Sequence, residues 1–325
     1  MAARHLRTHV TIALLAALVF VTALTAACSA QATGGALAAS GTAGGSSTSG
    51  SPAASGGSAA GKAGLDDWGR TLSALAWMQA NKPTKPIVVL LGGSAAREST
   101  ISDKSWRVQI VADGGPATLA WNMGSHNRTM AQNLAIVKAL PQGVDAIVYV
   151  GINLGSFTST QKSYTLKLPA APAQEPDLQQ PHQYTKTDIL TTAQKQAMVR
   201  QWLGKRYPVY KANFSRNATL LESLIKICQA RGYKPVLFEL PRNTAVIGSS
   251  LNTPTAKFRA KCVALARKYR SAGCKWVSFV SQAQIPNKDF YDIWHLVEPG
   301  RTIWQKLLSA KTAALLKQYG YDGGS

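Results

Sequence analysis

Acidic residues and cysteine are the two things this chain has least of. Only 15 of its 325 residues are Asp or Glu, against 36 Lys and Arg, and the formal charge is +21. Residues 1–27 hold two of the arginines and no acid, which leaves +19 on the remainder. That excess excludes a polyanionic surface. It predicts a soluble, basic one, open to attraction by polyanions such as those of a cell envelope. The basic residues are dispersed, and no nucleic-acid-binding motif accompanies them, which argues against nucleic acid as a partner. The four cysteines are Cys28, Cys228, Cys262 and Cys274. They form no CxxC pair and no His/Cys cluster, so neither a metal site nor a cofactor is expected. One disulfide with a thiol left over, or buried free thiols, are equally compatible with the last three. No internal repeat is present, which excludes a solenoid.

What is there begins with Arg4 and Arg7, then a nearly continuous apolar or small-residue run from Val10 to Ala27. A basic n-region before such an h-region predicts a secretory signal peptide over residues 1–27. An uncleaved membrane anchor is the alternative, and the run is at the short end for a span. Leu24-Thr25-Ala26-Ala27-Cys28 resembles the lipobox of bacterial lipoproteins, which would make Cys28 the lipidated residue. Its leucine lies one position too far upstream, and Ala30-Gln31-Ala32 offers an ordinary small-x-small cut instead. Either way the mature protein is expected outside the cytoplasm, lipid-anchored to the membrane or secreted. All of residues 31–64 except Gln31, Leu37, Pro52 and Lys62 are Ala, Gly, Ser or Thr. Such a stretch buries too little apolar surface to offset its ordering entropy, so residues 28–64 are expected to be a flexible tether. Its reach is roughly 30–35 Å.

Residues 65–325 suffice for one α/β domain with a full core. Trp68, Leu72, Leu75 and Met78 recur at helical spacing behind Asp66 and Asp67. Residues 86–91 are a continuous apolar run, as in a parallel strand buried on both faces. Further strands are predicted at 117–122, 145–150, 235–240 and 275–280. Residues 102–112 fit a helix capped by Ser102, or a strand by the Val108/Ile110/Ala112 alternation. Helices are expected at 127–140, 193–203, 216–231, from Thr253-Pro254 to Gly273, and at 301–319. Residues 155–192 contain Pro169, Pro172, Pro176 and Pro181 and show no period. This insertion is either a lid over a site or a variable surface excursion.

Strands alternating with helices predict a parallel sheet covered on both faces, with ligands at the C-terminal strand ends. Three polar elements fall there. Ser94 follows the first strand in Leu90-Leu91-Gly92-Gly93-Ser94, Asn153 follows the third in Gly151-Ile152-Asn153, and Asp292-Ile293-Trp294-His295 follows the fifth. An aspartate three residues before a histidine can orient the imidazole and support its protonated form, giving a general base for a serine nucleophile. Singly, each has a plainer reading: a helix cap, a turn asparagine, a local hydrogen bond. His126 is a candidate to support the site residues from behind or to face substrate. Glu239, Arg242 and Asn243 follow the fourth strand and either line the pocket or serve as caps and salt bridges. Trp294 is assigned to packing.

With these blocks in this order, residues 86–318 resemble the SGNH (GDSL-type) hydrolase superfamily. The serine block resembles Gly92-Gly93-Ser94-Ala95-Ala96-Arg97-Glu98, with Gly-Gly-Ser in place of Gly-Asp-Ser. The asparagine block is Gly151-Ile152-Asn153, and the last is Asp292 to His295 with Leu296 and Gly300. Asn122-Met123-Gly124-Ser125-His126-Asn127-Arg128-Thr129 resembles the second block, with Asn127 where glycine is usual. The resemblance implies a three-layer αβα, flavodoxin-like fold on a parallel five-stranded sheet. It implies Ser94, His295 and Asp292 as the catalytic triad. Its oxyanion hole would be the Asn153 amide and the backbone N–H groups of Ser94 and Asn127, helped by the dipole of a short helix after Ser94.

The expected function is therefore an exported serine esterase or deacylase acting on ester-linked acyl groups, with acylated envelope polysaccharide as the candidate substrate. Two alternatives stay open. One is O-acyl transfer to a surface glycan through the same acyl-enzyme. The other is a non-catalytic envelope-binding module on a degenerate hydrolase fold.

Overall fold

Five runs of aliphatic and β-branched residues form the strands: β1 (Ile87–Leu91), β2 (Leu119–Asn122), β3 (Ala146–Ile152), β4 (Lys234–Glu239) and β5 (Lys275–Ser278). The computed structural model describes residues 66–177 and 182–321. The expected signal peptide 1–27, Cys28 and the tether 28–64 lie outside the described residues. The strands pair in parallel in the order β2-β1-β3-β4-β5. Every residue of β1 and β3 is buried. Because side chains alternate across a strand, Ile87, Val89 and Leu91 enter one core with Val148 and Val150. Val88 and Leu90 enter the other with Ile147 and Tyr149.

The helices are α1 (Asp67–Asn81), α2 (Ser94–Arg97), α3 (Asp103–Ala112), α4 (Met130–Ala139), α5 (Thr192–Gln201), α6 (Tyr207–Ala230), α7 (Thr244–Ile247), α8 (Asn252–Lys268), α9 (Val280–Ala283) and α10 (Glu298–Gln318). One face of the sheet is covered by α1, α4, α6 and α8 through Leu75, Ile136, Leu221 and Phe258. The other is covered by α3 and α10 through Trp106, Ile110, Trp304 and Leu308. The result is a three-layer αβα fold with the flavodoxin-like strand order. No helix among the described residues is long and apolar enough to cross a membrane.

Several boundaries differ from expectation. Residues 103–112 are helical: Ser102 accepts the Ser105 N–H at 3.0 Å, and Trp106 and Ile110 turn inward while Val108 is 64% exposed. The expected break between the helices at 193–203 and 216–231 is absent. Instead α5 continues through a π-turn (Trp202–Arg206) into α6. Pro208 has no N–H to give, and the wider turn just before it, closed by the Tyr207 N–H on the Trp202 carbonyl, carries the helix past it. α8 starts at Asn252, so Thr253 is inside the helix rather than its cap; Pro254 still lies in the first turn. α4 starts at Met130, with Thr129 and Gln132 forming a capping box. α10 starts three residues early, at Glu298. Cys228, Cys262 and Cys274 are buried free thiols, and burial pushes the Cys274 thiol up to about 12.

The chain leaves β1 toward β2, then returns to place β3 on the other side of β1. Winding reverses between β1 and β3, the switch point at whose C-terminal strand ends ligands bind in such sheets. Ser94 and Asn153 stand at these two ends.

Candidate active site

β1 ends in Gly92, whose φ of +153° turns the chain sharply into α2. A Cβ there would lie 2.7 Å from the Ala96 Cβ, so only glycine lets the turn close on the helix. Ser94 becomes the first residue of α2, and its N–H is one of the donors a helix start leaves free. Its Oγ is 2.8 Å from Nε2 of His295. On the far side of the ring, Nδ1 is 2.7 Å from Oδ2 of Asp292.

The Asp292–His295 pair is held by its own turn. An antiparallel bridge joins Phe290 and Leu296, and the Tyr291 N–H donates to the His295 carbonyl at 2.8 Å. Asp292 Oδ1 accepts the N–H groups of Trp294 (2.7 Å) and His295 (2.9 Å). Burial alone would raise the Asp292 carboxyl. The charge and hydrogen bond of His295, with the two backbone donors, outweigh it and hold the carboxyl below its usual range. Asn243 supports the turn from β4, donating to the Asp292 carbonyl at 3.3 Å and to Asn287 Oδ1 at 2.8 Å. The buried Lys195 ammonium donates to the carbonyls of Asn287 (2.9 Å) and Phe290 (2.8 Å).

Asn153 caps a 3-10 turn (Leu154–Phe157). Its Oδ1 accepts the Ser156 N–H at 3.2 Å, and its Nδ2 makes no hydrogen bond among the described residues. The group turned away from the cap is therefore a pure donor. Asn127 has φ +53°, the left-handed conformation that glycine takes freely and asparagine tolerates. The departure from glycine at this position thus leaves the backbone bend intact. Gly124 is needed nearby for a different reason: a Cβ would come within 2.3 Å of the Arg97 nitrogen. His126 is exposed, and its N–H donates to Asp67 Oδ2 at 3.3 Å. Partial desolvation by its neighbours, with Arg97 and His295 nearby, nonetheless lowers its pKa.

Three parts of the site carried no readable signal. The first is Tyr184, from the insertion. Its ring stacks on Tyr291 at 4.2 Å and lies over the His295 ring at 4.5 Å. The second is Glu98, fully buried just behind α2. It receives Arg97 at 2.9 Å, His182 at 3.0 Å, the Gln183 N–H at 3.0 Å, and Arg301. Arg301 also donates to the Tyr184 carbonyl at 2.6 Å. One carboxylate therefore ties the serine helix, the final helix and the strap 182–184 together, and the strap carries Tyr184 onto the histidine. The hub holds Glu98 down at about 2, since its hydrogen bond to His182 and the charges of Arg301, His182 and Arg97 outweigh desolvation. The third is Lys195. Glu98 stood beside the serine block in sequence, whereas Tyr184 and Lys195 lie where no motif points.

Of the other candidates, Glu239 is buried and takes three hydrogen bonds from Arg259. Trp294 is half-buried and packs against both cores. The structure thus brings Ser94, His295 and Asp292 into one hydrogen-bonded line. Asn153 stands at the neighbouring strand end.

No protein-family model and no curated protein sequence matches this chain. Among solved structures it is similar to the lipase/acylhydrolase from Enterococcus faecalis, at 13% identity and a TM-score of 0.37, over 70% of this chain and 96% of that one. It is also similar to the YxiM protein from Bacillus subtilis, at 14% identity and a TM-score of 0.39, over 74% of this chain and 59% of that one. Likeness at this level assigns no activity; the layered parallel sheet and the hydrogen-bonded line at its switch point are properties of this chain itself.

Proposed function

We propose that this chain is an exported serine ester hydrolase of the SGNH type, which removes ester-linked acyl groups from envelope glycans. The observation that carries this reading is the unbroken line from Ser94 Oγ through His295 to Asp292. In the proposed reaction Ser94 Oγ attacks the ester carbonyl as His295 Nε2 takes its proton. Asp292 stabilises the imidazolium. The tetrahedral oxyanion is met by the Asn153 amide and the backbone N–H groups of Ser94 and Asn127; losing one such donor costs about 10²–10³ in rate. His295 then returns the proton to the departing alcohol. Water repeats the sequence on the acyl-enzyme and restores Ser94.

The test is labelling with a fluorophosphonate, followed by a panel of p-nitrophenyl esters from acetyl upward. Ser94 should carry the label, and Ser94→Ala should lose both label and turnover. Wild type and Ser94→Ala equally inert to probe and panel would overturn the reading.

Tyr184 gives a second check. Aromatic contacts of this kind contribute about 0.5–1.5 kcal/mol. Tyr184→Ala should lower kcat by up to roughly tenfold, while Tyr184→Phe stays near wild type because the contact uses the ring face. An unchanged kcat in Tyr184→Ala would show that the stack does not position His295. Export and anchoring rest on the sequence of residues 1–28. Labelled palmitate should be incorporated and lost in Cys28→Ser; absence of Cys28-dependent label removes the lipid anchor.

A further inference from the structure

A groove of about 550 Å³ runs along the C-terminal ends of β4 and β5, lined by Glu239, Arg242, Arg259, Trp276, Ser278 and Gln284 among others. It shares Glu239 and Arg242 with a small cleft lined by Asn153 and Trp294, so it leads away from the proposed oxyanion donor. Its charge is unbalanced. Two guanidiniums face one carboxylate, and Arg259 already holds both Glu239 oxygens at 2.7–3.0 Å. The Arg242 Nε pairs with Glu239 at 3.6 Å, beyond hydrogen-bond reach, and has no hydrogen-bond partner. Burial and Arg259 press against its charged form, which only Glu239 supports. An incoming anion would relieve that imbalance. The rest of the wall suits a sugar: a half-buried indole at Trp276, and hydroxyl and amide groups at Ser278 and Gln284.

We propose that this groove is a binding subsite for an acidic glycan, with Arg242 and Arg259 receiving a sugar carboxylate and Trp276 packing against a ring. This rests on the ester-hydrolase reading only in naming what the groove feeds: the acylated sugar held next to Ser94.

The test is titration calorimetry on the full chain carrying Ser94→Ala, which binds without turning over. The probes are a short oligogalacturonate, a neutral oligosaccharide of the same length, and inorganic phosphate. The oligogalacturonate should bind at least tenfold tighter than either. Arg242→Gln should weaken it roughly tenfold or more, as expected for loss of a charged hydrogen bond. Lys104→Gln removes the same charge from an exposed site on α3, beside the opposite edge strand, and should change binding less than twofold. Ser281→Glu puts a like charge on an exposed residue of the groove and should repeat the loss without disturbing the fold. Equal binding of acidic and neutral oligomers would overturn the proposal. So would equal losses in Arg242→Gln and Lys104→Gln, which would mean general attraction to a basic chain. Phosphate binding as tightly as the oligomer would reduce the groove to an anion hole and overturn the glycan. Turnover through Ser94 with no binding here removes the groove alone; binding here without turnover removes the hydrolase alone.

Discussion

Asp292→Asn should lower kcat about 10⁴-fold while leaving the melting temperature close to wild type. The reason is the orientation of the new amide. Asp292 Oδ1 accepts two backbone N–H groups, at 2.7 and 2.9 Å, from Trp294 and His295. An asparagine keeps its carbonyl oxygen there, since flipping would aim an NH₂ at two donors. Its NH₂ then faces His295 Nδ1, which must become an acceptor. The ring proton moves to Nε2, the nitrogen 2.8 Å from Ser94 Oγ. A protonated Nε2 cannot take the serine proton. Steady-state kinetics on an acetyl ester, with a melting curve alongside, reads both quantities. A drop of less than tenfold at unchanged stability would mean that the His295 tautomer does not limit turnover.

Glu98→Gln should produce the largest loss of stability. The carboxylate is fully buried and faces Arg97 and Arg301, both nearly buried. Removing its charge leaves the buried Arg301 guanidinium without its carboxylate, while Arg97 keeps Asp67 at 2.6 Å, at a cost of about 3–5 kcal/mol. The strap loses part of its anchor as well, since Gln183 and His182 bond to the same carboxylate, and kcat should fall as Tyr184 loosens. The wild type should show the same dependence through pH. Glu98 sits at about 2 in the folded chain against its ordinary 4.5. Between those values the unfolded chain binds more protons, so stability is present above about 4.5 and is lost as pH falls toward about 2. The loss from this group is about 3 kcal/mol. Urea melts at pH 7, 4 and 3 on both chains read it. A Glu98→Gln chain as acid-sensitive as wild type would place the acid response elsewhere.

How much of this was legible follows from the range of the interactions. The strands were readable because a parallel strand buried on both faces needs an unbroken apolar run, and Ile87–Leu91 and Ala146–Ile152 are such runs. Residues 102–112 were ambiguous because the Val108/Ile110/Ala112 alternation has a strand's period while Ser102 can cap a helix; the formed cap and the burial of Trp106 and Ile110 decide for the helix. The join of α5 to α6 was hidden because Pro208 lacks the N–H an α-helix uses, and nothing local marks the π-turn that passes it. Ser94, Asn153, Asp292 and His295 stood out because each lies at a strand end or within one turn of its partner. Glu98 stands in the serine block, but its role is not local, since its charge partners include Arg301 and the strap. Tyr184 lies in an aperiodic stretch, and nothing local marks its ring.

The chain alone decided the sheet, its layers and the Asp292–His295 turn, since strand pattern and a three-residue spacing are local properties. Only the folded molecule decided how closely Ser94 approaches that histidine, what covers the imidazole and where charge is left unbalanced. Those depend on side chains far apart in sequence, such as Ser94 with His295 and Glu98 with Arg301, which meet when the crossovers bring the strand ends to one edge. The same holds for Arg242: its surplus charge appears only once Arg259, from α8, has taken both oxygens of Glu239.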